Sequence, residues 1–207
     1  SGTTTVGEIC THGISAALLK ESGLRAVVYR EIIGMHGIRR HRRFPLRLLV
    51  FQYILKLRNR ALLFTRRGKG LIRNGLSPHA PYTVSDEPLK RIQVLSSELE
   101  LNVHMHIHET AFEVDQAVKS TGKRPIARLD ELGLISHTLQ AVHATQLTDE
   151  EIDLLAIHNS SVIHCPESNM KLASGICPVK QLTEAGVNVA LGTDSSSSNN
   201  NLDMFGE

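Results

Sequence analysis

The chain has 207 residues, of which 41% are hydrophobic, and a formal net charge of +2 at neutral pH. This length and composition are enough for one globular domain with a sizeable core, or for a large part of one. There is no apolar run of about 18 residues and no signal peptide at the start, so we expect a cytoplasmic protein without a membrane partner. The three cysteines are odd in number and lack zinc-ribbon spacing, which argues against a disulfide scaffold.

The first part of the chain predicts a strand, a helix and a second strand. Apolar, β-branched runs at Thr3–Ile9 and Leu24–Ile32 predict the two strands. Residues 13–22 between them have a helix-like pattern, and Gly23 marks its end. This order is typical of a β-α-β unit in a parallel sheet.

Residues 35–74 form a segment of unusual charge. No acidic residue lies between Glu31 and Asp86, whereas twelve arginines and lysines lie between Arg39 and Arg73. Such a split is typical of a surface that contacts nucleic acid or a membrane. The segment lacks a recognised binding module with interleaved stacking aromatics, so we regard nucleic-acid binding as disfavoured.

Strand and helix signals alternate through the remaining chain. Ser85 can cap a helix with apolar residues at helical spacing, and Thr148 with Glu151 forms a capping box before a second helix. Further strands are predicted around the stretch 103–110 and at 75–79, 138–144, 161–165 and 187–192. Seven candidate strands that alternate with helices favour an α/β fold, a (β/α)8 TIM-type barrel that lacks one strand, over an open sheet.

Three histidines lie two residues apart in the stretch 103–110, and Glu109 follows them. Side chains alternate between the two faces of a strand, so His104, His106 and His108 are predicted to lie on one face and apolar residues on the other. A row of buried imidazoles is costly unless each ring is hydrogen-bonded or binds a metal. The pattern therefore predicts metal chemistry at the end of this strand.

Other polar residues also follow apolar strands. Catalytic groups of parallel barrels lie at the carboxyl ends of the strands. The polar residues predicted at such ends are His79, His106, Glu109, His143, His164 and Asp194.

Five ordered motifs resemble those of the amidohydrolase superfamily, in particular its methylthioadenosine/S-adenosylhomocysteine deaminases and triazine hydrolases. The resemblance covers residues 75–207 and, more weakly, residues 1–34, and it implies an internal part of such a protein without strand 1 and without the small β-sandwich. The motifs are Ser77–Tyr82, His104–Thr110, Val142–His143, His164–Asn169 and Leu191–Asp194.

The resemblance implies a metal-dependent hydrolase of carbon–nitrogen bonds other than peptide bonds. His106 and Asp194 would bind one divalent metal, zinc first and iron second, and Asp194 would also accept a proton from the activated water. Glu109 would protonate a ring nitrogen of the substrate, and His143 would orient the hydroxide. The implied substrate is a small molecule, an aminopurine nucleoside first and an azine second. A third interpretation is a non-catalytic barrel remnant that binds nucleic acid through residues 35–74.

Several residues keep a second interpretation. His79 and His164 would contact the substrate, but His164 is equally compatible with a structural anchor. His104 is better explained as a hydrogen-bonded core residue than as a ligand, and His108 as a residue at the rim. Asp194 follows Thr193 in a sequence that, in isolation, is also typical of a turn.

Two features depart from the superfamily pattern. No His-x-His pair, which would supply two further ligands, precedes His104. We therefore expect the 207-residue chain to bind metal weakly and to be weakly active or inactive. Residues 35–74 do not resemble the corresponding part of the superfamily, and they fit native divergence as well as an out-of-frame stretch. The oligomeric state stays open, a homo-oligomer included.

Overall fold

The structure is a computed structural model that describes residues 5–10, 15–34 and 70–207. The predicted basic segment lies outside the described residues except for its last five positions, 70–74. The strands are β1 (Thr5–Cys10), β2 (Arg25–Ile32), β3 (Ile72–Pro78), β4 (Val103–Ile107), β5 (Leu139–His143), β6 (Ser161–His164) and β7 (Asn188–Leu191). The helices are α1 (Ser15–Ser22), α2 (Asp86–Leu99), α3 (Ala111–Thr121), α4 (Pro125–Glu131), α5 (Asp149–Ile157), α6 (Pro166–Lys171) and α7 (Val179–Glu184).

The seven strands follow one another in the sheet in the order β1 to β7. The pairings of β1 with β2, β2 with β3, β3 with β4, β5 with β6 and β6 with β7 are all parallel. By Cα proximity the described residues divide into two compact units, one with residues 5–10, 15–34, 70–79 and 83–103, the other with residues 80–82 and 104–207. The predicted strand–helix alternation is therefore confirmed.

The N-terminal unit is held by the pairing of β2 with its two neighbours. β2 pairs with β1 from Arg25 to Arg30 and with β3 from Ala26 to Ile32. β3 begins at Ile72, three residues before the predicted start, so the last residues of the basic segment belong to a paired strand. Helix α2 begins after Ser85 as predicted, but the Ser85 side chain makes no capping hydrogen bond.

The C-terminal unit contains the strands that carry most of the predicted site residues. Thr148 and Glu151 form the predicted capping box at the start of α5. Helices α3, α4, α6 and α7 were not predicted individually. Two of these begin with Pro at their first turn, and Pro fits there because the missing N–H would have no partner within the helix.

No helix in the described part of the chain is both long and apolar enough to cross a membrane. The cytoplasmic location stays a prediction.

The close approach of β3 to Tyr29 gives a test of the N-terminal unit. A Cβ atom at Gly75 would lie 2.3 Å from the Tyr29 ring, which is 2% exposed, whereas a Cβ atom at Gly7 would lie 3.6 Å from the same ring. We expect Gly75→Ala to lower the unfolding free energy by about 1–3 kcal/mol because the ring must move. The matched variant Gly7→Ala should cost less than about 1 kcal/mol in urea unfolding. Equal costs for the two variants would contradict this packing.

Candidate active site

Three predicted site residues come together in the C-terminal unit. One ligand atom each from His106, His143 and Asp194 lies within 4.8 Å of the others. The rings of His106 and His143 are stacked with centroids 5.5 Å apart. Sequence reasoning expected His106 and Asp194 as metal ligands, and the structure adds the His143 ring to their group.

A neighbouring helix sets the orientation of His143. The residue is 1% exposed, and its Nδ1 lies 2.9 Å from Oδ1 of Asn169 at the second turn of α6. The amide oxygen can only accept, so Nδ1 is the donor in this bond. The chemically available nitrogen of His143 is therefore Nε2, which lies 3.9 Å from Oε2 of Glu109.

Two hydroxyl groups orient Asp194. Oδ2 of Asp194 accepts hydrogen bonds from the hydroxyl groups of Ser168, at 2.8 Å, and Ser198, at 2.6 Å. Burial raises the pKa of Asp194, but the hydrogen bonds from Ser198 and Ser168, with the nearby His143 and His106, lower it overall. The carboxylate is therefore kept in its charged form.

Glu109 is held at its backbone and at its side chain. Its N–H donates to Oε2 of Glu113 at 2.8 Å, and its carbonyl accepts from Oγ1 of Thr145 at 2.7 Å. Oγ of Ser174 donates to its Oε1 at 3.4 Å. The carboxylate thus has one oxygen near Ser174 and the other near His143.

The segments that follow β4 and β5 are joined by hydrogen bonds beyond the strands themselves. Ala144 N–H donates to the Ile107 carbonyl at 3.1 Å, and Thr145 N–H donates to the His108 carbonyl at 2.9 Å. Gly175 lies against Thr145, since a Cβ atom there would be 2.8 Å from the Thr145 hydroxyl. This close packing fixes the backbone on which Glu109 sits.

The sequence interpretation of His108 as a rim residue is wrong. β4 ends at Ile107, and His108 is fully buried with a φ of 55°, so strand alternation does not extend to its side chain. Its Nδ1 lies 3.2 Å from the Gln146 carbonyl and 3.5 Å from Oε2 of Glu151. Burial lowers the pKa of His108 to about 4, so near neutral pH the ring is an uncharged anchor.

The two residues predicted to contact the substrate, His79 and His164, have other surroundings. His79 belongs to the N-terminal unit, where its Nδ1 lies 3.0 Å from Oγ1 of Thr83. His164 ends β6, and its buried Nδ1 has no hydrogen-bond partner among the described residues. Burial lowers the pKa of His164, and the Glu207 carboxylate partly offsets this decrease.

His104 lies two residues before His106 in β4. Its ring packs edge-on against His106 with centroids 6.2 Å apart. Burial, together with His106 and His143, lowers the pKa of His104 to about 3. The ring is therefore uncharged near neutral pH, and its expected role as a hydrogen-bonded core residue stays a prediction.

Comparison with known proteins identifies the family of the chain. The model of the amidohydrolase family matches residues 1–207. A methylthioadenosine/S-adenosylhomocysteine deaminase of Teredinibacter turnerae is 45% identical to the whole chain. The chain belongs to the amidohydrolase family. It covers 45% of the T. turnerae protein, so the chain spans about half the length of this curated relative.

Solved structures of amidohydrolases have the same fold. An adenosine deaminase from Xanthomonas campestris with bound zinc aligns with the whole chain and 45% of its own length, at 45% identity and a TM-score of 0.87. A triazine hydrolase from Arthrobacter aurescens aligns over 97% of the chain and 46% of its own length, at 21% identity and a TM-score of 0.83. The predicted fold class, an incomplete (β/α)8 TIM-type barrel, is thereby confirmed.

Sequence reasoning missed the residues that support the amidohydrolase site. Glu113 follows Thr110 at capping-box spacing, so its position at a helix start could have been found. The supporting roles of Ser168, Asn169 and Thr145 had no comparable signal, because they depend on contacts between segments distant in sequence.

The buried Glu113 carboxyl should make stability depend on pH. Burial raises the pKa of Glu113 from 4.5 to about 7, although N–H groups of Glu109 and His108 donate to it. The folded protein then holds a proton that the unfolded chain releases, so this contribution is present below pH 4.5 and is lost as pH rises through about 7.

We expect the unfolding free energy of the wild type, relative to Glu113→Gln, to fall by up to about 3 kcal/mol between pH 5 and pH 8. Urea unfolding of both proteins at several pH values measures the difference. Parallel profiles would show that Glu113 does not titrate in this range.

Proposed function

We propose that this chain takes part in the hydrolytic deamination of an adenosine-type nucleoside, with methylthioadenosine or S-adenosylhomocysteine as substrate. The carrying observation is the group of His106, His143 and Asp194 beside Glu109, in a chain 45% identical to a methylthioadenosine/S-adenosylhomocysteine deaminase. Overall, water replaces the amino group of the purine and ammonia leaves. A cytoplasmic location belongs to the same proposal.

The donor atoms of the group suit a divalent metal. Imidazole nitrogen and carboxylate oxygen are donors that zinc prefers, and iron accepts the same two types of donor. We assign His106 and Asp194 as ligands of one such ion, with zinc as the first choice. When bound, it would supply Lewis acidity and make water nucleophilic near neutral pH.

The proton transfers are assigned to two carboxylates with different surroundings. Asp194, kept charged by two hydroxyl groups and two nearby imidazoles, accepts a proton from the attacking water and returns it to the amino group, which leaves as ammonia. Glu109 delivers a proton to the purine ring nitrogen next to the carbon that is attacked and regains one from the hydroxyl group formed on that carbon. Oε2 of Glu109 lies 3.9 Å from Nε2 of His143, so the carboxyl group and the imidazole ring are both close to the position proposed for the attacked carbon.

His143 is assigned to orient the attacking water. Its Nδ1 is occupied by Asn169, so Nε2 is the atom that faces the reaction. The substrate contacts proposed for His79 and His164 remain proposals as well. His164 keeps both interpretations, a substrate contact and a structural anchor, because its Nδ1 is buried without a hydrogen-bond partner among the described residues.

Deamination is the first test. Because the chain provides few metal ligands, we expect it to release ammonia from methylthioadenosine or S-adenosylhomocysteine only slowly, to lose this weak activity with a metal chelator and to regain it with excess zinc. Ammonia release and the change in purine absorbance measure the reaction. Atrazine serves as the comparison substrate, and turnover of atrazine without turnover of either nucleoside would favour the triazine-hydrolase interpretation.

Variants of single residues test the assigned roles. We expect Glu109→Gln and His143→Asn to retain zinc and to lose about 10²- to 10⁴-fold in kcat, as is usual for groups that move or orient protons. His106→Asn should lose both zinc and activity. Zinc content by mass spectrometry separates the classes, and loss of zinc from His143→Asn would make His143 a ligand and overturn its assignment.

A further inference from the structure

Two helices of the C-terminal unit begin with the same sequence pattern. Thr110 precedes α3 and Thr148 precedes α5, and each is followed three residues later by a buried glutamate, Glu113 and Glu151. In each case the Thr hydroxyl accepts from the backbone N–H of its glutamate, at 3.1 Å and 3.3 Å. The two starts differ in what the glutamate carboxylate binds.

Glu151 makes the bond expected for a capping box. Its Oε2 accepts from the N–H of Thr148, the capping residue of the same helix, at 3.0 Å. The Glu113 carboxylate interacts with the N–H of its capping residue Thr110 as well, but its stronger bonds lie beyond that residue. Its Oε2 accepts from the N–H of Glu109 at 2.8 Å and its Oε1 from the N–H of His108 at 3.2 Å.

Both acceptor oxygens of Glu113 are therefore used on the two residues that lead into the helix. His108 has a φ of 55°, a left-handed conformation that is unfavourable for a residue with a side chain. With Glu113 on its N–H and Thr145 on its carbonyl, the backbone of Glu109 is bonded on both sides.

We propose that Glu113 is a positioning residue for Glu109, whose carboxyl group it holds beside Nε2 of His143 for the proton transfer to the substrate assigned to Glu109. The inference rests on the function proposed above. Glu113 touches neither the metal-ligand group nor the reacting atoms in this role. It acts through the two N–H bonds that set the backbone from which the Glu109 side chain extends.

The chemistry of the two bonds explains why a carboxylate is needed. A carboxylate has two acceptor oxygens, whereas the amide of glutamine has one, and its NH₂ group would face a backbone N–H. Aspartate keeps both oxygens, but its side chain is one methylene shorter. Glu113→Gln and Glu113→Asp therefore weaken the same two hydrogen bonds, the first by removing an acceptor oxygen and the second by shortening the side chain.

The kinetic test uses the purified protein at pH 8, where the Glu113 carboxyl is ionised. We expect both Glu113 variants to lose about 10- to 100-fold in kcat with KM and zinc content within about twofold of wild type. Thr148→Ala removes the cap of α5, which lowers stability without touching Glu109, and serves as the matched control with unchanged kcat. A kcat within twofold of wild type in the Glu113 variants, or an equal loss in Thr148→Ala, would overturn the proposal.

A double-variant cycle separates positioning from general damage. If Glu113 acts through Glu109, Glu113→Gln should change kcat less than about twofold in a Glu109→Gln background. Multiplying losses would mean that Glu113 acts independently of Glu109 and would overturn the proposal.

A readout that needs no activity separates this inference from the proposed function. Amide hydrogen exchange at His108 and Glu109 should become at least about tenfold faster in Glu113→Gln, with exchange in β5 unchanged. A wild type that does not deaminate nucleosides would defeat the proposed function alone. Unchanged exchange at both amides would defeat the positioning role in either case.

Discussion

Backbone strain at the ends of the strands is the constraint on which this site depends. Four residues that follow or end strands adopt left-handed backbone conformations although none is glycine: His108, His143, Ala144 and Asp194, with φ of 55°, 72°, 50° and 57°. Each such residue costs about 1–2 kcal/mol relative to ordinary backbone. Such conformations persist only where the surroundings determine them, so each turn needs bonds from other segments.

Those bonds come from the segment that follows the next strand, from a neighbouring helix or, for Ser198, from the same loop. Asn169 holds the His143 ring, and Ser168 and Ser198 hold the Asp194 carboxylate. The turn at His108 is held by Glu113 at its N–H and by Thr145 at its carbonyl. The hydrogen bonds that offset the strain are therefore the same bonds that direct the functional side chains.

The sequence predicts the strands well because their signal is local. Apolar, β-branched runs locate β5, β6 and β7 within one residue at each end, and the residues predicted at their ends include His143 and Asp194. The strand alternation that correctly places His106 fails at His108, since a left-handed residue there ends the alternation. Nothing in the local sequence distinguishes His108 from His106, because the turn is stabilised by Glu113 and Gln146 from outside the strand.

The capping boxes show the same limit in a second way. Thr110 with Glu113 and Thr148 with Glu151 have identical spacing, and spacing correctly indicates two helix starts. It does not indicate which N–H groups each carboxylate binds. That choice depends on where the preceding chain lies, and for Glu113 the preceding chain is the end of β4 with its turn at His108.

The supporting residues divide the site into two parts. Ser168 and Asn169 are consecutive in α6 and hold Asp194 and His143, so a shift of this helix moves both side chains together and preserves their separation. Within the part of the chain that the structure describes, Glu109 makes no direct hydrogen bond to Ser168 or Asn169, but Ser174, which donates to Oε1 of Glu109, also donates its N–H to the Asn169 carbonyl. The Glu109 backbone is fixed by α3 and by the segment after β5, through Glu113 and Thr145. The backbone of Glu109 and the group of possible ligands are therefore supported by different direct contacts, which Ser174 connects, so a change at Glu113 can move Glu109 while α6 still holds His143 and Asp194.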